Sequence, residues 1–197
     1  AGTDLRQGNS LVIGTDFQVN ERNVIGFSAM ASIGKRDRYG YLRNELFDGD
    51  GLLYDKWDRE SIEPRSNRNI DLNLSYTLKF KEQVGEWSLS AYQSIGDRTV
   101  LGIYEELYYD DSNILSESSP LNQRLDNVQL NSITTAQTDY SYILKKINAR
   151  MEAGAKMITR NEDIDTYSET MDTLTGLFNE DTLANFQYLY SGREYST

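Results

Sequence analysis

Apolar and polar residues alternate in several stretches of this chain, most clearly in Ile70-Asp71-Leu72-Asn73-Leu74-Ser75-Tyr76-Thr77-Leu78-Lys79-Phe80. Successive side chains of a strand point to opposite faces. Ile70, Leu72, Leu74, Tyr76, Leu78 and Phe80 therefore share one face, and Asp71, Asn73, Ser75, Thr77 and Lys79 the other. A strand of this length matches the roughly 9 to 11 residues that a tilted strand needs to cross a bilayer, which predicts an apolar face turned to lipid.

The pattern recurs in pairs. Strands are expected near 10–20 and 23–35, joined by the polar turn Asn20-Glu21-Arg22-Asn23. Others are expected near 69–80 and 86–96, joined across 81–86, and near 136–144 and 147–159, joined at Lys145-Lys146, with a last strand near 185–195. Between the pairs lie polar stretches read as long loops at 36–68, 97–135 and 160–184. Short turns on one rim and long loops on the other predict an all-β, antiparallel up-and-down transmembrane β-barrel, with residues 1–197 forming about seven strands of a larger barrel domain. The competing reading is a soluble extracellular β-sandwich that binds carbohydrate or mediates adhesion, its apolar faces stacked inward. Sandwich connections are short at both ends, which disfavours it.

Composition narrows the function. The mean hydropathy of −0.63 hides no apolar run long enough for a membrane-spanning helix. A formal charge of −11, from 31 acidic against 20 basic residues, argues against nucleic acid as a partner. The chain has no histidine and no cysteine, so disulfides, Cys/His zinc sites and histidine-based triads are excluded from it. Its start at Ala1 shows no signal segment, and the chain is expected to be processed or partial.

Gln137-Thr138-Asp139-Tyr140-Ser141-Tyr142, followed by a turn and Met151-Glu152-Ala153-Gly154-Ala155-Lys156, resembles a repeated strand pattern in the barrel of TonB-dependent outer-membrane receptors. Phe186-Gln187-Tyr188 looks like the strand that follows, and Gly14-Thr15-Asp16-Phe17 with Asn20 and Asn23 is also similar. Such receptors close roughly 22 strands around a plug, and nothing in this chain resembles a plug. The resemblance implies active uptake of a scarce solute such as a siderophore or oligosaccharide. It implies outer-membrane lipid, a plug and further strands of the same polypeptide as partners, with an inner-membrane complex supplying energy through the plug. The place implied is the outer membrane of a Gram-negative bacterium. A barrel serving secretion or structure rather than transport is a further alternative.

Candidate residues follow from this frame. Asp71, Lys79, Arg150, Glu152 and Lys156 are expected to face the lumen, with Arg150, Glu152 and Lys156 on one strand near Asp71 and Lys79 from another. Tyr54, Trp57, Tyr108, Tyr109 and Tyr167 in the long loops offer stacking surfaces for a solute. Tyr39, Tyr41, Trp87, Tyr92, Tyr108 and Tyr109 are candidates for interfacial belts. Glu162, Asp163, Asp165, Glu169 and Asp172 supply oxygen ligands but lack the spacing and glycine of a calcium loop, so no metal and no cofactor are assigned. Glu105, Glu106, Asp110, Asp111 and Glu117 do not establish the opposed carboxylate pair of a glycosidase, and no enzymatic activity is expected.

Overall fold

The computed structural model describes residues 2–81, 84–110, 112, 114–116 and 120–196. The strands are β1 (Gly2–Asn20), β2 (Asn23–Phe47), β3 (Leu53–Lys79), β4 (Gly85–Tyr109), β5 (Leu121–Leu144), β6 (Ala149–Met171), β7 (Phe178–Glu180) and β8 (Phe186–Ser196). They form one antiparallel sheet in chain order, with β7 and β8 following each other along the free edge of β6. The sheet is open: β1 pairs only with β2 and β8 only with β6, so barrel closure is not seen.

Three tight turns share one end. Asn20 Oδ1 accepts the backbone N–H groups of Arg22 and Asn23 at 3.0 Å, which closes the first as an Asx turn. The second joins β3 to β4, where the Phe80 N–H reaches the Gly85 carbonyl at 2.9 Å; Glu82 and Gln83, expected in this turn, lie outside the described residues. The third, 145–148, places Asn148 in the left-handed region with a φ of 49°.

At the other end the long loops expected at 36–68, 97–135 and 160–184 are mostly strand. The first contracts to the turn 48–52, held by Asp48 Oδ1 accepting from the Asp50 and Leu52 N–H groups and by Gly51 at φ 79°. The others contract to 110–120, and to 172–177 with 181–185. β3 is 27 residues long, far more than a bilayer requires. Hydrophobic alternation stops where both faces meet water, yet the ladder of backbone hydrogen bonds continues. Periodicity marks the part of a strand whose two faces meet different surroundings and is blind to its polar extension.

Among the described residues no hydrophobic side chain is buried, and no second layer covers the sheet. The β-sandwich alternative required Ile70, Leu72 and Leu74 to be packed between sheets. They are 52%, 42% and 54% exposed.

Candidate functional site

Directly paired residues in an antiparallel sheet point the same way, so the registers sort every strand residue onto one of two faces. The first face carries Leu11, Ala31, Ile70 and Ile95 in one row, Phe27, Leu74, Ala91, Ala136 and Met157 in another, and Leu78, Trp87, Tyr140 and Ala153 near the tight turns. From the turns up to Ile33, Ile70, Ile95, Val128 and Asn161, this face of β1 to β6 holds no charged residue. Charge enters together on neighbouring strands just above, at Lys35, Arg68, Asp97, Asp126 and Asp163. β8 departs from this, placing Arg193 opposite Thr159.

The uncharged band has the dimensions of a membrane. Ile70 to Leu78 is about nine residues, or about 30 Å along the strand, and a tilt of 35–45° reduces this to about 23 Å of height, close to the ~25 Å apolar band of outer-membrane barrels. Several polar groups inside the band pair with one another, as hydrocarbon favours. Gln93 Nε2 donates to Ser132 Oγ at 3.0 Å and the Thr134 hydroxyl donates to Gln93 Oε1 at 2.5 Å. Aromatic rings gather at the tight-turn end: Tyr76 meets Trp87 edge-on at 5.9 Å, Trp87 Nε1 donates to Thr138 Oγ1 at 2.8 Å, and Phe80 lies 5.6 Å from Tyr140. Of the expected belt residues Trp87 belongs here. Tyr39, Tyr41 and Tyr109 stand far above the band. Tyr92 and Tyr108 are on the opposite face, where the Tyr92 hydroxyl donates to Asp71 at 2.8 Å.

The second face is polar and crowded. Asn69 Nδ2 donates to Asp71 at 2.7 Å and Asn127 Nδ2 donates to Thr166 Oγ1 at 2.7 Å. Glycine is confined almost entirely to it, at Gly8, Gly14, Gly26, Gly34, Gly96 and Gly154 among others, with neighbouring polar side chains lying over most of these positions. An apolar exposed face and a polar crowded one are what a β-barrel wall turns to lipid and to its interior.

Asp71, Lys79, Arg150, Glu152 and Lys156 all fall on the polar face. They do not form one cluster. Lys79, Glu86, Ser141 and Glu152 make a row at the tight-turn rim, with Arg150 Nε 2.7 Å from Glu152, while Asp71 sits eight residues up β3 from Lys79. Lys156 lies between Gln137 and Ser196. β4 and β5 separate the two groups, which the sequence expected to be neighbours.

The five aromatic candidates are strand residues, not loop residues, and the sheet divides them. Trp57 and Tyr108 pair on the polar face and stack at 6.0 Å with 20° between ring planes. Beside them the Arg59 guanidinium lies 4.6 Å over the Tyr104 ring and 3.6 Å from Glu106, and the Tyr108 hydroxyl donates to Glu106 at 2.7 Å. That hydrogen bond to a carboxylate, with partial burial, pushes the Tyr108 phenol up to about 12. Tyr109 and Tyr167 are on the opposite face, and Tyr54 stands exposed where the β2–β3 register shifts. Glu105 and Glu106, being adjacent, point opposite ways, as do Glu162 and Asp163. Asp110 closes its own turn through the Ser112 and Ile114 N–H groups; Asp111 and Glu117 lie outside the described residues.

Two clusters were missed because they lie in stretches read as loop or left outside the strands. Arg43 and Tyr109 both donate to Asp58, at 2.9 and 3.2 Å; the carboxylate is only 4% exposed, and the Arg43 guanidinium holds it down to about 2. Arg6, Arg36 and Arg65 stand side by side in one row of the polar face. Only the backbone pairing of β1, β2 and β3 reveals that row.

Among curated proteins no relative matches the chain. Among solved structures, in-vitro folded OmpT, an outer membrane protein of Vibrio cholerae, aligns over 99% of this chain and 96% of its own at 9% identity, with a TM-score of 0.13, too low to show a shared fold. A family model described as "Outer membrane protein beta-barrel family" matches residues 78–196. With its two-faced sheet and its band of membrane height, the chain belongs to the outer membrane protein beta-barrel family.

Proposed function

We propose that the chain is part of the barrel wall of a TonB-dependent receptor in the outer membrane of a Gram-negative bacterium, taking up a scarce solute such as a siderophore or oligosaccharide. The observation that carries this reading is the polar face above the apolar band. There the wall continues as sheet and presents Trp57, Tyr108, Arg59 and Glu106 together, an aromatic platform flanked by both signs of charge. Aromatic faces stack on sugars and on planar chelators, and a rigid strand scaffold holds them at little entropic cost. The resemblance of the 137–156 hairpin to receptor barrels supports the same reading.

In this reading the partners are outer-membrane lipid, a plug and further strands of the same polypeptide, and an inner-membrane complex that supplies energy through the plug. The chain itself takes no cofactor and performs no catalysis. Uptake of ferric siderophores and maltooligosaccharides by cells carrying the whole protein tests it. Accumulation should depend on the protein and collapse when an uncoupler dissipates the proton-motive force. Uptake indifferent to the uncoupler points instead to a passive barrel and overturns the reading.

A further inference from the structure

On the polar face above the band, Arg6, Arg36 and Arg65 occupy one register row on β1, β2 and β3. Arg38 stands in the next row, opposite Asp4 and Glu63, and Arg98 one row the other way, opposite Asn67. Like charges directly opposed across strands are destabilising, and here three meet in succession in a chain whose net charge is −11. Two carboxylates answer them in part. Asp4 bridges Arg36 at 2.6 Å and Arg6 at 2.8 Å, and Glu63 holds Arg65 at 2.5 Å. Five guanidiniums against these two acids leave the patch positive.

Two further observations point to an anionic ligand. Arg65 Nε is buried and is the one such side-chain atom, among the described residues, without a hydrogen-bond partner, and an unpaired buried charged donor is costly. Glycine flanks the row on one side, where β1 and β2 carry Gly8 and Gly34. A Cβ at Gly8 would meet nothing nearer than the Ile33 carbonyl oxygen at 3.8 Å, so the row is uncrowded on the β1 side, while the Asn67 side chain lies over Gly34. Planar guanidinium forks match carboxylate and phosphate oxygens bidentately, which a single lysine does not.

We infer that this arginine row binds a small solute carrying two or more carboxylate or phosphate groups. Binding itself does not depend on the transport reading; only the further step, that the bound anion is the solute carried, rests on it.

Calorimetric titration of the whole protein in detergent with citrate, tripolyphosphate and neutral maltotriose tests the inference. One of the two anions should bind, more weakly as salt rises, and maltotriose should not compete. Arg36→Gln with Arg65→Gln should weaken anion binding by at least about tenfold, whereas Arg193→Gln on the other face should leave it unchanged. Asp4→Asn, which removes a competing carboxylate, should tighten it and serves as the readout if the double variant does not fold. Absence of binding by both anions, or affinity indifferent to Arg36, Arg65 and Asp4, overturns the inference. Energised uptake of a neutral sugar alongside absent anion binding removes the anion site and leaves transport standing; anion binding with uptake indifferent to an uncoupler does the reverse.

Discussion

Arg68 and Asp97 face each other across β3 and β4, with Arg68 Nε 3.0 Å from Asp97 Oδ1, one row beyond Ile70 and Ile95 on the same face. The pair marks where the outer surface stops being able to meet hydrocarbon. A charge placed below it should cost far more than one placed beside it. Leu74→Lys, near the middle of the band, is expected to destabilise by about 2–4 kcal/mol, and Ile33→Lys, in the Arg68 row, by about 0–1 kcal/mol. Urea unfolding of the whole protein from lipid vesicles measures both, and equal costs would remove the band.

The two tryptophans of the chain report the same boundary independently. Trp87 lies in the band near the tight turns, and Trp57 lies far above it on the other face. In the Trp57→Phe variant, brominated lipids should quench the remaining emission; in Trp87→Phe, aqueous acrylamide should quench it and brominated lipid should not. The reverse pattern would turn the wall inside out.

Acid should loosen the outer end of the β2–β3 hairpin. The Asp58 carboxyl is held at about 2 by Arg43, below its ordinary 3.8, so the unfolded chain takes up its proton first. The stabilisation is fully present above the ordinary value and is lost as pH falls from there through about 2. Hydrogen exchange at residues 41–60 should accelerate across that window, and Asp58→Asn should flatten the response. Identical acid profiles for the two proteins would show that the Arg43–Asp58 pair does not hold the hairpin end.

Two glycines should respond in opposite directions. A Cβ at Gly85 would meet the Ser141 carbonyl oxygen and come within 2.9 Å of Tyr142 Cα, both backbone atoms that cannot step aside. Gly85→Ala should cost about 1–3 kcal/mol by overpacking. At Gly8 the nearest atom is the Ile33 carbonyl oxygen at 3.8 Å, and Gly8→Ala should be neutral or stabilise by about 0.4–1 kcal/mol through the unfolded chain. Denaturant midpoints of the two variants check the contrast.

What was legible in the sequence follows the solvent each residue meets. Ile70 to Phe80 announced itself because its two faces meet different media, and the common polar face of Asp71, Lys79, Arg150, Glu152 and Lys156 followed from parity alone. Arg36 to Arg65 did not, because both faces of those strands meet water and only backbone pairing reveals them. Pairing across strands was equally hidden. Trp57 and Tyr108 belong together while Tyr109, next in the chain, does not, and only the β3–β4 register decides this. The last expected strand, near 185–195, is β8; the short β7 lies within the stretch expected as loop, and the 181–185 turn that separates the two is held by Asn185 Oδ1 accepting the buried Ser168 N–H, a contact no local pattern announces.

The extension of β2 and β3 as paired sheet to the turn at 48–52 bears on how this outer region can vary between homologous genes. One residue inserted between 36 and 47 would exchange the faces of everything beyond it, sending Arg43 inward and Asn44 outward. Changes of length are therefore confined to the tips at 48–52, 110–120 and 172–177, and diversity elsewhere must arise by exchanging side chains on a backbone of fixed count.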